Sequence, residues 1–287
     1  MQISVIIPTY KSWNIIDKCL QSLQNQSFEG SFEILVVDNE ETSIIPGNIR
    51  NYQNVRFLHE TKPGSYAARN TAIEAAKGEI LAFTDADCIP HKDWLKNGVE
   101  LLEKTENAGI VGGNVKLFYL DENKLNSAET YDKYTAFRIK EYVSFGNCVT
   151  ANWFSYRKTL IDFGCFDSNL KSGGDTKLSQ KISAKLALVY GENVIVYHPA
   201  RNKVSEIVTK YRRVLGGKYA EKFNKQNKKF LLFTVEYIFR RIKFNLNLLA
   251  KGKVKDFFKI AYVHFTLLPS LFFESFKIMA TGKTERK

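Results

Sequence analysis

The sequence lacks the features that define several common classes of protein. Its four cysteines (Cys19, Cys88, Cys148 and Cys165) show neither CxxC nor Cys/His spacing, so we expect ordinary buried thiols of a reducing compartment and no disulfide framework or zinc site. The uncharged stretch at residues 260–273 has 14 residues, whereas a membrane-spanning helix needs roughly 20 apolar residues. The first residues contain no basic segment followed by a long apolar run, so no export signal is predicted.

Acidic residues are scarce in one part of the chain only. Residues 201–287 contain 6 Asp+Glu against 21 Lys+Arg, whereas residues 1–200 contain 24 against 21, so a nearly neutral body (net −3) precedes a strongly basic tail (net +15). This change in composition predicts a domain boundary near His198-Pro199-Ala200. Aromatic residues make up 13% of the 287 residues, which excludes global disorder, and the length suffices for one large core with an appendage.

Short apolar runs alternate with helical patterns in the body. Strands are predicted at residues 2–8, 32–37, 55–58 and 80–84, and an alanine-rich helix at 65–77. Buried strands that alternate with helices at such short intervals predict an α/β fold with a mostly parallel sheet covered on both faces.

Polar residues follow the predicted strands at the points where each strand ends: Thr9 and Tyr10, then Asp38, then Asp85 and Asp87. Ligands of such sheets bind beyond the carboxyl ends of the strands. Two carboxylates at i and i+2 can hold one divalent cation, and that cation would offset the charge of a nucleotide diphosphate. A single one of these residues could instead cap a loop, but this does not explain why they all gather at strand ends, and D-x-D by itself occurs often by chance.

Several ordered motifs strengthen this interpretation. They are SVIIPTY at residues 4–10, VVDN at 36–39, PGSYAARN at 63–70, GEILAFTDAD at 78–87, ANWFSYR at 151–157 and GCFD at 164–167. In these motifs the chain resembles the family 2 inverting glycosyltransferases of GT-A fold, from about residue 2 to residue 200.

The resemblance implies a donor site and a metal site. Thr9, Asp38 and Arg69 would contact the nucleoside, with Asp38 and Arg69 bonded to the base, and Asp85 would contact the ribose or a metal-bound water. Asp87 would coordinate Mg²⁺ or Mn²⁺. His198, after a strand-like run at 194–197, would contact the metal or the diphosphate, or be a structural residue. The full set of expected donor contacts is Pro8, Thr9, Tyr10, Asp38, Arg69, Asp85 and Ala86.

Asp175 aligns with the family's general base, which deprotonates the acceptor hydroxyl. An N-cap role for the predicted helix 176–187 is the structural alternative and is compatible with it. Gly174 stands where relatives commonly have another acid, and this departure puts acceptor recognition in doubt more than base catalysis. Trp153 and Trp94 could each stack on an acceptor sugar or fill the core, and for Trp94 the core is favoured. The acceptor side is expected to include Asn152, Trp153 and Gly174, and Tyr66 and Asn114 are further candidates for lining a pocket.

The basic tail interleaves cations with Phe and Leu, for example in KKFLLF at 228–233 and FRRIKF at 239–244. Basic amphipathic helices of this kind are typical of anchors at anionic membrane surfaces, and a helical subdomain packed on the body is the alternative. The aliphatic content argues against nucleic acid as a partner. Arg212 and Arg213, just past the body, are candidates for contacting the donor diphosphate.

Together these features predict a GT-A nucleotide-diphospho-sugar transferase fold with a basic amphipathic helical extension. We expect a catalytic domain at 1–200 (donor binding at about 1–110, acceptor side at about 111–200) and a tail at 201–287. The expected reaction moves a sugar from a nucleotide diphosphate, UDP by family frequency, to a saccharide or lipid-linked saccharide at the inner face of the cell membrane. A degenerate scaffold is one alternative. A sugar-phosphate nucleotidyltransferase is another, although no glycine follows the first strand to form its triphosphate loop.

Overall fold

The computed structural model describes residues 1–223 and 226–282. The strands in this part of the chain are β1 (Ile3–Thr9), β2 (Phe32–Asp38), β3 (Val55–His59), β4 (Ile80–Phe83), β5 (Ile89–Pro90), β6 (Ala108–Phe118), β7 (Trp153–Tyr156) and β8 (Ala187–Pro199). The helices are α1 (Ile16–Gln24), α2 (Gly47–Arg50), α3 (Ser65–Ala75), α4 (Trp94–Lys104), α5 (Ser127–Thr135), α6 (Ile139–Ser144), α7 (Arg157–Asp162), α8 (Gly174–Ser183), α9 (Val204–Lys218), α10 (Asn227–Ala250) and α11 (Val254–Thr281), with a π-helical turn at Tyr219–Phe223.

All eight strands belong to one sheet in the order β3-β2-β1-β4-β7-β6-β8-β5. The first four are parallel, with Thr9 of β1 level with Asp38 of β2 and Ile6 level with Phe83 of β4. Strand β7 is antiparallel to both β4 and β6, and β5 is antiparallel to β8. The parallel half brings the carboxyl ends of β1, β2 and β4 to one edge, as the sequence predicted.

Both faces of the sheet are buried, because alternate residues of one strand enter different cores. Ile3, Val5 and Ile7 of β1 join one apolar cluster, whereas Ile6 joins the other. Helix α3 contributes Ala68 and Ala72 to the second cluster, and its small side chains let the helix lie close to the strands. The α/β class and the covered sheet are therefore confirmed.

Two predicted elements differ from the structure by more than two residues at one end. The run at 194–197 is the end of the longer strand Ala187–Pro199, and the helix expected at 176–187 is Gly174–Ser183. Asp175 therefore lies in the first turn of α8 and not at its N-cap.

The chain divides into two compact units. The first contains Met1–Lys116, Phe137–Leu170 and Gly174–Pro199, and the second contains Leu117–Ala136, Lys171–Gly173 and Ala200–Lys287. Residues 117–136 and 171–173, which sequence composition grouped with the body, thus cluster with the tail. We call the first the sheet unit and the second the helical unit.

The helical unit has an apolar core of its own, formed by α5, α9, α10 and α11 and including Tyr131, Ile207, Phe230, Ile260 and Leu267. Helix α11 runs unbroken for 28 residues although it contains Pro269. Among the residues described, no helix combines the length and the hydrophobicity needed to cross a bilayer.

Candidate active site at the strand ends

Three buried side chains at the carboxyl ends of the parallel strands have polar atoms without a partner in the described structure. They are Thr9 Oγ1, Asp38 Oδ2 and Thr84 Oγ1, and the three residues are at most 2% exposed. Buried polar atoms normally have a hydrogen-bond partner. These three side chains therefore leave hydrogen-bonding capacity unused at the edge of the sheet. Of the neighbouring residues, Pro8 is half-buried and Tyr10 is 37% exposed.

Asp85, Asp87, Cys88 and His198 form a cluster next to this edge. One potential ligand atom from each lies within 4.8 Å of those of the others. The loop after β4 supplies the first three residues and the end of β8 supplies His198. Ala86, between the two aspartates, is 6% exposed. The predicted neighbours Asp85, Asp87 and His198 are thus brought together from positions more than 100 residues apart.

The tautomer of His198 follows from its hydrogen bond. Its Nδ1 lies 2.7 Å from the carbonyl oxygen of Pro199, which can only accept, so Nδ1 bears the proton. Nε2 lies 3.7 Å from Asp87 Oδ2 and presents its lone pair toward the cluster. The ring packs against Phe137, with ring centroids 4.6 Å apart, which fixes its orientation.

The donor set fits Mn²⁺ or Mg²⁺. Carboxylate oxygens suit both ions, and an imidazole nitrogen favours Mn²⁺ over Mg²⁺. Burial, with the nearby Asp85 and Asp87 charges, raises the pKa of the Cys88 thiol well above its usual value. Without a cation nearby, this raised pKa keeps the thiol protonated at neutral pH.

Helix α3 connects three motifs that are far apart in sequence. Arg69, 3% exposed, donates from Nη2 to Asp85 Oδ1 at 2.7 Å, so it is a buried ion-pair partner of the cluster and not a surface charge. Asn70 exchanges two hydrogen bonds with the Phe166 backbone, at 2.8 and 3.1 Å. A contact of Arg69 with the nucleobase stays a prediction.

Asp175 lies at the start of α8 and is half-buried. Its Oδ1 accepts from the Thr176 N–H at 2.9 Å and from the Tyr66 hydroxyl at 3.2 Å. Burial raises the pKa of Asp175 above its usual value, against the lowering effects of the Thr176 N–H, the Arg69 charge and the Tyr66 hydrogen bond. A raised pKa makes this carboxylate a stronger base for a hydroxyl proton.

Two residues predicted on the acceptor side are buried in the core. Asn152 and Trp153 are both 0% exposed. The amide of Asn152 accepts from Trp94 Nε1 at 2.9 Å and donates to the carbonyls of Asn114 and Val194 at 2.9 and 2.8 Å. Trp153 donates to Ser155 and contacts Phe166. Neither side chain has accessible surface, which favours the core alternative for Trp153, and a role of either residue toward the acceptor stays a prediction. Trp94, 0% exposed, is in the core as expected.

Arg212 and Arg213 lie in the helical unit. Arg212 forms an ion pair with the buried Glu274 at 2.6 Å, and a contact of either arginine with a diphosphate stays a prediction. All four cysteines are free; three are buried and Cys165 is half-buried.

Sequence reasoning missed two features of the site. Cys88 lies beside the metal-ligand candidates, and nothing in a single cysteine after D-x-D indicates this. Asn39 holds the loop before α3, because its side chain bonds the carbonyls of Glu60 and Lys62 and the Gly64 N–H. The VVDN motif contains Asn39, but the motif does not indicate that its side chain holds this loop.

Comparisons with known proteins agree with this geometry. Residues 4–162 match the family model described as glycosyl transferase family 2. The chain is 40% identical over 220 residues to the glycosyltransferase AglE of Haloferax volcanii, covering 74% of this chain and 71% of that protein. It is 25% identical over 229 residues to a dolichyl N-acetyl-α-D-glucosaminyl phosphate 3-β-D-2,3-diacetamido-2,3-dideoxy-β-D-glucuronosyltransferase of Methanococcus voltae, covering 66% of this chain and 71% of that protein.

A mannosyltransferase of Pyrobaculum calidifontis, solved with GDP-Man and Mn²⁺, superimposes with a TM-score of 0.66 at 20% identity. The match covers 98% of this chain and 88% of that structure, and it confirms the GT-A fold.

Proposed function

The chain belongs to glycosyltransferase family 2, and on that premise we propose that it moves a sugar from a nucleotide diphosphate, UDP in the first instance, to a hydroxyl of a saccharide or lipid-linked saccharide with inversion of the anomeric centre. The main support is the cluster of Asp85, Asp87 and His198 at the strand edge, beside the unpartnered polar atoms of Thr9 and Asp38. This arrangement offers a cation site and a nucleoside site at neighbouring strand ends.

The residues of the chain have distinct tasks in this reaction. Thr9 and Asp38 offer hydrogen bonds to the nucleoside, and Asp87 and His198 would hold Mn²⁺ or Mg²⁺, with Asp85 beside them. The cation, when bound, offsets the charge that develops on the leaving diphosphate. Arg69 fixes the Asp85 carboxylate through the ion pair at 2.7 Å.

Asp175 is the proposed general base. It takes the proton of the acceptor hydroxyl while that oxygen forms a bond to the anomeric carbon, and the bond from this carbon to the diphosphate oxygen breaks. One carboxylate is enough for a single displacement. Helix α3 bonds both Asp175, through Tyr66, and Asp85, through Arg69, which supports placing base and diphosphate in one site.

The test is calorimetric titration of UDP, GDP and dTDP in the presence of Mn²⁺ or of chelator, followed by a sugar-transfer assay with the donors of the nucleotide that binds. We expect metal-dependent binding of one diphosphate, weakened by at least about tenfold in Asp87→Asn because a ligand is lost. Asp162→Asn, an equal change at an exposed carboxylate of α7 paired with Lys158, is the matched control. Binding of no diphosphate by the folded protein would contradict the proposal and favour a scaffold.

We also propose that the helical unit binds an anionic membrane surface at the inner face of the cell membrane. Helix α11 has two apolar stripes. One is buried and includes Ile260, Val263, Leu267 and Leu271, whereas the other is exposed and comprises Phe258, Tyr262, Phe265, Phe272, Phe273 and Phe276. The exposed stripe includes Phe265 at 84%. A surface helix of a globular protein normally has one apolar stripe, which is buried, and a polar face toward solvent. The second, exposed stripe of α11 therefore needs an apolar partner.

Cations accompany the apolar residues. Lys243 and Arg240 on α10 and Lys255 and Lys277 on α11 are exposed, and each cation near an anionic leaflet adds about 1 kcal/mol of binding free energy. Leu232, Phe239 and Leu246 are also exposed on α10. Phenyl rings that enter the interface, with lysines at the headgroups, are typical of peripheral anchors.

Sedimentation with lipid vesicles tests this surface. Vesicles containing phosphatidylglycerol should bind the full chain more tightly than neutral vesicles, and added salt should weaken the binding. The double substitution Phe258→Ser and Phe265→Ser should weaken it by at least about tenfold, because burying one Phe contributes roughly 1.5–3 kcal/mol. Phe145→Ser, at a ring 74% exposed in the sheet unit, is the control. Equal binding by all three proteins, or none by the wild type, would contradict the surface.

A further inference from the structure

Gly174 faces an aromatic ring and has no room for a side chain. A Cβ placed on it would lie 2.7 Å from Cε2 of Tyr66 and 2.9 Å from two further ring atoms, Cδ2 and Cζ. Contacts below 3.0 Å do not occur for real Cβ atoms. The ring of Tyr66 thus closes position 174 to any residue with a side chain.

The ring that closes it is firmly held. Tyr66 is 7% exposed and stacks on Phe166, with centroids 5.7 Å apart and planes at 19°. Phe166 in turn contacts the buried rings of Phe83 and Trp153. Because this packing is continuous with the core, a side chain at 174 cannot push the ring aside at low cost.

The Tyr66 hydroxyl reaches the proposed base. It donates to Asp175 Oδ1 at 3.2 Å, and the Thr176 N–H donates to the same oxygen at 2.9 Å. Within the described residues no hydrogen bond is made to Oδ2. One carboxylate oxygen is therefore fixed by two donors, and the other remains available for a proton.

Helix α3 places Tyr66 next to the proposed base, Asp175. It also places Arg69 next to Asp85, the carboxylate of the candidate metal site. Tyr66 and Arg69 lie one turn apart, at i and i+3, which is one face of a helix. Arg69 pairs with Asp85, and Tyr66 bonds Asp175. One rigid element thereby sets the positions of both acidic groups.

We propose that Tyr66 is the positioning residue of the general base Asp175. Its hydroxyl orients Asp175 so that Oδ2 receives the acceptor proton, and its ring requires glycine at 174. This inference rests on the proposed function of Asp175 as the base.

The variant that isolates the hydroxyl is Tyr66→Phe, which keeps the ring stacked on Phe166. Tyr52→Phe is the matched control, because Tyr52 also donates to an aspartate, Asp17, at 2.6 Å but away from the strand edge. Both variants lose one tyrosine–carboxylate hydrogen bond, so a general loss of stability should affect both.

Carboxyl ¹³C NMR titration of the full chain, with Asp175→Asn to assign the signal, measures the coupling without any turnover. A hydrogen bond to the charged form lowers the pKa of a carboxylate, so the pKa of Asp175 should rise in Tyr66→Phe and stay unchanged in Tyr52→Phe. An unchanged Asp175 titration in Tyr66→Phe would overturn the inference.

Kinetics then separate positioning from packing. In Tyr66→Phe we expect kcat to fall by about ten- to a hundredfold, the size expected for a hydrogen bond to a charged group, and the acid limb of the pH profile to move to higher pH. Nucleotide affinity should stay within about twofold, since Thr9 and Asp38 are untouched. A wild-type kcat and pH profile in Tyr66→Phe would refute the role.

The requirement for glycine is tested by a double-mutant cycle. Gly174→Ala should lower kcat strongly in the wild type and much less in the Tyr66→Ala background, where the ring is absent. Additive effects would overturn the steric part of the inference. If the wild type transfers no sugar while the NMR coupling is present, the proposed function fails and the Tyr66–Asp175 contact stands.

Discussion

Substitution of Asn152 by alanine tests whether the side chain of this residue stabilises the core or contacts the acceptor. Its amide connects three elements, since it bonds Trp94 of α4, the Asn114 carbonyl of β6 and the Val194 carbonyl of β8. In Asn152→Ala the buried indole N–H and two carbonyls lose a partner. At about 1 kcal/mol for each group, the free energy of unfolding should fall by at least about 3 kcal/mol.

Thermal unfolding followed by circular dichroism measures the effect. For a unit of this size 1 kcal/mol shifts the midpoint by roughly 2–4 °C, so we expect a Tm about 6–12 °C below that of the wild type. The control is Asn114→Ala. The Asn114 side chain makes a long hydrogen bond, at 3.4 Å to the Glu192 carbonyl, and no other within the described residues, so this variant should melt within about 2 °C of the wild type.

The opposite pattern would refute the structural assignment. If Asn152→Ala melted like the wild type and instead raised the KM for acceptor, the amide would have to face the substrate. Gly113 provides a second check, because a Cβ there would lie 2.3 Å from Asn152 Oδ1. Gly113→Ala should therefore displace the Asn152 amide and lower the free energy of unfolding as well.

Three further outcomes are expected. His198→Ala should weaken Mn²⁺ binding, followed by electron paramagnetic resonance, by at least about tenfold; unchanged affinity would remove His198 from the metal site. Glu274→Ala should destabilise the helical unit by about 2 kcal/mol, because removing the buried carboxylate removes its hydrogen bonds from Arg212 and its ion pair with Lys277, and urea unfolding measures this. Burial alone would raise the pKa of Glu33, but hydrogen bonds, foremost the one from Arg56, hold the pKa of Glu33 below its usual value. The ionised Glu33 therefore stabilises the fold fully at pH values above the pKa that it has in the unfolded chain. This stabilisation is lost as the pH falls through the pKa of Glu33 in the folded protein. The Tm of Glu33→Gln should therefore depend less on pH in the acid range than that of the wild type, and identical pH dependence would contradict this.

The strand ends were predictable because they depend on local patterns. Runs of Ile and Val predict strands buried on both faces, and parallel strands place their last residues along one edge. Thr9, Asp38, Asp85 and Asp87 could therefore be grouped before any coordinates were known. The basic tail was equally visible, because charge is a property of composition.

The side chains of the acceptor motif could not be assigned in this way. ANWFSYR suggested contacts for Asn152 and Trp153, yet the structure buries both completely. A motif shows that positions matter without showing whether they face a ligand or the core. Burial depends on β4, β6, β8 and α4, which come from distant parts of the chain.

Sequence alone determined the family, the α/β class, the acidic pair and the change of charge near residue 200, because each is encoded in residues close together along the chain. Only the tertiary structure decided that His198 joins Asp85 and Asp87, that Arg69 pairs with Asp85, and that Tyr66 fills the space beside Gly174 and bonds Asp175. These contacts join residues 16 to more than 100 positions apart. Their existence depends on how helix α3 and the strand ends pack, which no local periodicity specifies.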